Sequence, residues 1–140
     1  YPPLHDKDIM LAYRLGYTPS QGDVVVIRKE SFMEEAIVKR VIATEGQEVE
    51  INYDTNTVYV DGVAMEEPYI NQEDTDVMEE KQGMVYKEFT VPEGCIFVMG
   101  DNRNGSTDSR FGSLGMVDTD YVLGRAVCVV FPFSDFKSLL

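Results

Sequence analysis

Two stretches of the chain hold charged and hydroxyl groups in places where a purely structural role would not ask for them. The first is Gly100-Asp101-Asn102-Arg103-Asn104-Gly105-Ser106-Thr107-Asp108-Ser109-Arg110, with two aspartates, two arginines and two serines directly after the apolar run Cys95 to Met99. A loop fixed at the end of a core strand is a common mount for a site, because the strand supplies rigidity and the loop supplies groups. The plainer reading is a turn whose Asp and Asn side chains cap their own backbone, with Arg103 and Arg110 solvated; composition alone favours it. The second stretch is Lys39-Arg40, set inside Ala36-Ile37-Val38-Lys39-Arg40-Val41-Ile42-Ala43. Charges in the middle of a buried run cost on the order of several kcal/mol each unless they are paired or neutralised.

Other chemistry is poorly supplied. Cys95, Cys128 and the single histidine, His5, fall short of a zinc site, and both cysteines stand in apolar runs that read as buried thiols. His5 and Asp6 suggest a catalytic dyad, yet the stretch 5–8 reads as a polar turn. The acidic residues of 71–88 have little periodicity and match no calcium loop, so a solvated loop is expected there. No metal and no cofactor is expected.

The elements that must position these groups read as strands. Gly22-Asp23 opens Val24-Val25-Val26-Ile27, an apolar run continuous enough to be buried on both faces, and the Lys39 run follows after a charged loop. From Gln47 the pattern alternates through Val49, Ile51 and Tyr53. Asp54-Thr55-Asn56 then turns the chain, Val58 and Val60 resume the alternation, and Asp61-Gly62 supplies a hairpin turn. Strand character returns at Phe89 to Val91, at Cys95 to Met99 and at Tyr121 to Phe131. The expected fold is mainly β: one antiparallel core from residues 1–50 and 89–140, with a small inserted β subdomain over 51–88. The apolar C-terminal residues Phe131, Phe133, Phe136, Leu139 and Leu140 are expected to pack a terminal strand, the alternative being an apolar patch that rests on a bilayer.

Composition narrows the partners. The chain has 140 residues, 44% of them hydrophobic, which is enough for one domain with a real core. A formal charge of −13 repels phosphate backbones, so nucleic-acid binding is disfavoured. The run Val122 to Phe133 contains Gly124 and Arg125 and falls far below the roughly 18 apolar residues of a membrane span. Tyr1-Pro2-Pro3 carries neither a start Met nor a signal-peptide pattern, so the chain is expected to be a piece of a longer one.

Taken together, YPPLHDKD, GDVVVI, AIVKRVIATEG, EEPYIN, GDNRNGSTDSR and LGRAVCVVFPFSDFK resemble bacterial type I signal peptidase of the compact Gram-positive kind, in that family's order and over nearly the whole chain. GDNR-x2-S-x-DSR about sixty residues after a KRV strand is a specific combination. The resemblance implies a fold of the signal peptidase and SOS-repressor protease type. It also implies a serine endopeptidase with a Ser/Lys dyad that removes signal peptides after Ala-x-Ala-like sites. Localisation follows: a cytoplasmic membrane protein, held by an N-terminal anchor, with its catalytic domain on the extracytoplasmic face. Preprotein signal peptides and the bilayer are the implied partners.

Residue by residue, the resemblance makes Lys39 the general base and Ser106 the hydroxyl that orients it. A lysine takes a proton only while neutral, so burial among Ile37, Val38, Val41 and Ile42 must depress its pKa from near 10.4. The family's structural aspartate matches Asp108, expected to tie Arg40 on the strand to Arg110 on the loop, and Asp101 and Asn102 are expected as loop scaffolding. Leu4, Ile37 and Val38 are implied to line the first substrate pocket, and Met10, Val26 and Val38 the second, with the signal peptide adding as a strand beside 36–39.

The family's nucleophile is the serine of Ser-Met-x-Pro-Thr-Leu. This chain begins at x, with Pro3 where Thr is usual, and Gln47 replaces a common aspartate. Ser and Met would precede Tyr1, no remaining serine fits the motif, and the chain as written is expected to be inactive. A non-catalytic relative that binds polypeptides, for instance in pilus assembly, is the alternative; retention of Lys39, Ser106 and Asp108 speaks against it. A self-cleaving repressor protease is disfavoured by the GDNR loop and the acidic charge.

Overall fold

The computed structural model describes residues 9–11, 16–67 and 78–128. They form β1 (Ile9–Leu11), β2 (Val24–Ile27), β3 (Ile37–Thr44), β4 (Glu48–Asn52), β5 (Thr57–Val60), β6 (Val63–Ala64), β7 (Glu88–Thr90), β8 (Cys95–Met99), β9 (Val117–Asp118), a 3₁₀ turn (Thr119–Tyr121) and β10 (Val122–Cys128). The fold is thus nearly all β and antiparallel, as the strand patterns require. One sheet has six strands in the order β1-β10-β2-β3-β8-β9, and the other has four in the order β6-β5-β4-β7.

Strand β8 explains how the two sheets share a core. Its apolar run has side chains buried on both faces: Ile96 and Val98 join Val25, Ile27, Val41, Leu114, Val117 and Val122, whereas Phe97 and Met99 join Val49, Ile51, Val58 and Val91. Each such large side chain contributes roughly 1.5–3 kcal/mol by leaving water. The Phe89 ring of the smaller sheet lies 4.6 Å from that of Phe97, and Tyr86 meets Phe89 edge-on at 5.6 Å. Strand β3 divides likewise, giving Val41 to one cluster and Ile42 and Ala43 to the other around a register shift between Val41 and Ala43.

The smaller sheet begins at Glu48 and closes at Thr90. Its hairpin turn is built at Asp61-Gly62, where φ is +51° and +80°, the left-handed pair that a two-residue hairpin needs. Asn56 also turns with φ +55°.

Three local expectations give way. Only Val25 and Ile27 of β2 are fully buried; Val24 and Val26 are half-buried. Cys95 is half-buried rather than buried, and the side chain of Cys128 lies outside the described residues. Residues 78–88 do not form a simple solvated loop. Met78 is buried, Met84 and Tyr86 are half-buried, and the stretch folds back onto the 100–110 loop, with Val85 N–H donating to the Arg110 carbonyl at 2.9 Å. Apolar residues interspersed among the acidic ones drive this return, a signal that charge counting overlooks. The stretch 5–8, the C-terminal residues from Phe131 onward and the 71–77 part of the acidic segment lie outside the described residues.

Candidate active site

Strand β3 fixes the site because adjacent strand residues face opposite sides of a sheet. Lys39 is the cross-strand partner of Val25 and Arg40 that of Val24. Lys39 therefore lies in the row Ile37, Lys39, Val41, on the face of the cluster around Val25 and Ile27, and is only 9% exposed. Its Nζ donates to Ser106 Oγ at 2.7 Å, and Ser106 is itself buried. Burial pushes the amine below the ordinary lysine range. The Asp108 carboxylate opposes this, the Arg110 guanidinium assists it, and Asp101 opposes it.

The 100–110 loop leaves β8 at Met99, opposite Arg40, and returns at Ser109. Ser109 closes its base: Ser109 N–H donates to the Val98 carbonyl at 3.0 Å, and Val98 N–H donates to Ser109 Oγ at 3.0 Å. Asp108 then braces the loop from inside. Its Oδ2 accepts Gly100 N–H at 2.9 Å and Arg110 Nη2–H at 3.0 Å, and its Oδ1 accepts from Arg110 Nε at 2.8 Å and from Arg110 N at 3.1 Å. Both side chains of this pair are fully buried. Arg110 Nη2 also donates to the Arg103 carbonyl at 2.6 Å.

The expected bridge from Arg40 through Asp108 to Arg110 is divided in two. Arg40 makes a bidentate pair with Asp101, Nε to Oδ1 at 2.9 Å and Nη2 to Oδ2 at 2.8 Å, and donates to the Gly22 carbonyl at 3.0 Å. Asp101 is thus an ion-pair partner rather than plain scaffolding. Register supplies the reason: Arg40 faces Met99, two residues short of Asp101, so the nearer carboxylate takes it. Asn102 does act within the loop, its Oδ1 accepting Gly105 N–H at 3.1 Å.

Arg103 and Arg110 are both buried, at 3% and 0% exposure, so the solvated-turn reading of the loop fails. Arg103 Nε donates to the Gly100 carbonyl at 2.9 Å and its guanidinium forks onto Glu67, which follows the smaller sheet's β6. Lys81 Nζ donates to the Asn104 carbonyl and Glu79 N–H to Asn104 Oδ1 at 2.8 Å. Arg103 stood in the quoted loop without a role, and Glu67 in the EEPYIN stretch. Nothing local in the sequence links positions 36 residues apart.

Of the residues expected to line substrate pockets, Val26 and Val38 are cross-strand partners, both half-buried, on the face away from Lys39. Ile37, half-buried, shares the Lys39 face, so only a groove that wraps the strand edge meets both Ile37 and Val38. Leu4 lies outside the described residues, and of Met10 only the backbone, paired with Val127, is described. Among the described residues there is no group of His, Cys, Asp and Glu that could hold a metal ion. No helix among them is long and apolar enough to cross a membrane.

Residues 1–131 match the model of signal peptidase, peptidase S26. The chain belongs to the signal peptidase family. It is 36% identical to signal peptidase I of Bacillus licheniformis over 141 residues, covering 97% of this chain and 74% of the relative. Signal peptidase IB of Staphylococcus aureus is 33% identical over 153 residues, covering 97% and 75%. The crystal structure of a signal peptidase I from Enterococcus faecalis superposes with a TM-score of 0.61 at 29% identity, covering 78% of this chain and 97% of that one. The function is that of a signal peptidase I, a peptidase.

Proposed function

We propose that the chain is the catalytic domain of a Ser/Lys endopeptidase that removes signal peptides from preproteins after Ala-x-Ala-like sites, with Lys39 as general base and Ser106 as its orienting hydroxyl. The observation that carries the reading is the hydrogen bond of 2.7 Å between the buried Lys39 Nζ and Ser106 Oγ. Desolvation there favours the neutral amine, and a neutral amine accepts the proton of an attacking alcohol. Ser106 restrains the amine so that its lone pair is presented in one direction, the service a third group gives the base of a triad.

In this reading the attacking alcohol is the serine of a Ser-Met pair preceding Tyr1, and the 140 residues alone are inactive. The serine Oγ attacks the scissile carbonyl as Lys39 takes its proton. The resulting ammonium then protonates the leaving amine, and water, deprotonated by Lys39, hydrolyses the acyl-enzyme. Strand order supports a route for the substrate. Strand β8 pairs with β3 only from Arg40 onward, so Ile37, Val38 and Lys39 have a strand partner on one side only among the described residues. An extended signal peptide adds there by main-chain hydrogen bonds, and half-buried Val26 and Val38 favour small side chains by size. An N-terminal anchor in the cytoplasmic membrane, with this domain on the extracytoplasmic face, completes the proposal.

The test uses the chain extended upstream through the Ser-Met pair and a preprotein peptide with an Ala-x-Ala site. Cleavage is expected, with a pH profile that rises through an apparent pKa below that of free lysine. Lys39→Met is expected to abolish it with the fold intact. Cleavage that survives Lys39→Met overturns the assignment.

A further inference from the structure

The charged groups of the 100–110 loop are not all used by the mechanism above, and Arg103 is the largest remainder. Its side chain is 3% exposed and that of Glu67 is 9% exposed, so the pair is out of water. A buried guanidinium is tolerated only with its donors satisfied, and this one uses them in two directions. Nη1 donates to Glu67 Oε1 at 3.1 Å and Nη2 to Oε2, while Nε donates to the Gly100 carbonyl at 2.9 Å, at the entrance of the loop. The carbonyl of the same residue accepts Arg110 Nη2–H at 2.6 Å, at the exit. That nitrogen approaches the Ser106 carbonyl at 3.5 Å, and the same guanidinium holds Asp108. Arg103 thus fastens both ends of the loop, three residues before the hydroxyl that meets Lys39.

We infer that Glu67 and Arg103 are positioning residues for the Lys39–Ser106 pair: the smaller sheet reaches through Glu67 into the active-site loop and holds it shut over the lysine. The inference rests on the reading of Lys39 as base. Glu67 lies just past β6, whose following residue Met65 donates its N–H to the Val58 carbonyl at 2.9 Å, so the carboxylate is presented from the frame of a folded sheet. Without that carboxylate the Arg103 guanidinium turns toward water, the Gly100 carbonyl loses its donor, and the loop opens at Ser106. A lysine at 103 does not substitute, because one ammonium cannot span Glu67 and the Gly100 carbonyl as the planar fork does. The smaller sheet is then part of the catalytic apparatus, although it contributes no reacting atom.

The experiment uses this chain labelled with ¹³C and ¹⁵N at lysine, the Lys39 signal being assigned by its loss in Lys39→Met. Titration is followed together with amide hydrogen exchange in the wild type, Glu67→Gln, Arg103→Lys and the control Glu80→Gln, which breaks the exposed Lys87–Glu80 pair. In the wild type the Lys39 amine is expected to titrate below the other lysines. In Glu67→Gln and Arg103→Lys its titration is expected to move up toward theirs, and exchange at Gly105 and Ser106 to quicken by about tenfold or more, with β4 and β5 still protected. Glu80→Gln is expected to change neither. Should Glu67→Gln not fold, Glu67→Asp, which withdraws the carboxylate by one methylene, is expected to move Lys39 in the same direction by less. An unchanged Lys39 in the folded variants, against a low-titrating wild type, overturns the positioning role and leaves the base assignment standing. A rise in Glu80→Gln equal to that in Glu67→Gln overturns it as well. A wild-type Lys39 that titrates with the other lysines overturns the base assignment, and this inference with it.

Discussion

Lys39 and Arg40 leave opposite faces of one strand and find their partners on one loop, Lys39 at Ser106 and Arg40 at Asp101. The strand and the loop are thereby stitched twice, and one of the stitches carries an amine whose pKa burial pushes down. The Asp101 and Asp108 side chains are both at 0% exposure, but that of Arg40 is 13% exposed and that of Arg110 0%.

That difference in burial separates two ion pairs of similar geometry. Asp101→Asn keeps a hydrogen-bonding group against Arg40, whose side chain retains access to water, so the smaller loss, about 1–3 kcal/mol, is expected. Arg110→Met strands the buried Asp108 carboxylate, and a loss of about 3–5 kcal/mol is expected. Urea unfolding of the two variants measures the gap. Equal losses would mean that burial does not rank these pairs.

Lys39 carries a stability signature of its own. Its pKa is lowered by the fold, first by desolvation, so the unfolded chain binds more protons at this residue between the folded value and the ordinary lysine value of 10.5. Stability therefore rises with pH across that window, and the burden of the buried charge is fully present below it. Lys39→Met removes this dependence: relative to the wild type the variant is expected to gain stability as the pH falls below the ordinary lysine range. That gain is expected to shrink as the pH approaches 10.5. Paired denaturant melts from pH 6 to pH 10 measure this, and a constant difference would contradict a depressed Lys39.

Ser106→Ala removes the acceptor of the Lys39 amine without touching the strand. In the chain extended through the Ser-Met pair, kcat is expected to fall by about 10- to 100-fold, the usual effect of losing a group that orients a reacting one. KM is expected to hold, because no assigned substrate contact is lost. Complete inactivity with an intact fold would assign Ser106 a more direct part in proton transfer.

The strands were legible because each has a local cause: continuous apolar runs at Val24 to Ile27 and Cys95 to Met99, alternation at Val49 and Ile51, and a Gly-containing turn at Asp61-Gly62 with its required positive φ. The meeting of Lys39 with Ser106 was legible only through resemblance, because 67 positions separate them and no periodicity spans that distance. The division of the ion pairs was not legible at all. Two aspartates and two arginines of like charge can be matched in more than one way, and the choice is made by the register that sets Arg40 against Met99. Glu67 was hidden for a related reason, since an acidic residue in a chain with 25 of them carries no mark until a buried cation is found beside it.

Gly105 offers a test of how closely the loop is fitted ahead of Ser106. A Cβ at this position would lie 2.7 Å from Asn102 Nδ2 and 3.0 Å from its Cγ and Oδ1, nearer than real Cβ contacts allow. Asn102 has a short side chain, and its Oδ1 is held by Gly105 N–H at 3.1 Å, so it cannot yield without giving up that bond. Gly105→Ala is therefore expected to destabilise by about 1–2 kcal/mol, the sum of the crowding and the lost hydrogen bond. Asn102→Ala alone loses only the bond and is expected to cost about 1 kcal/mol. Once Asn102 is alanine the obstruction is gone, so the double variant is expected to be more stable than the sum of the two single losses predicts. A double-mutant cycle by thermal or urea unfolding reads this directly. Strict additivity would mean that the Asn102 amide does not fill the space above Gly105, and the steric account of this glycine would have to be abandoned.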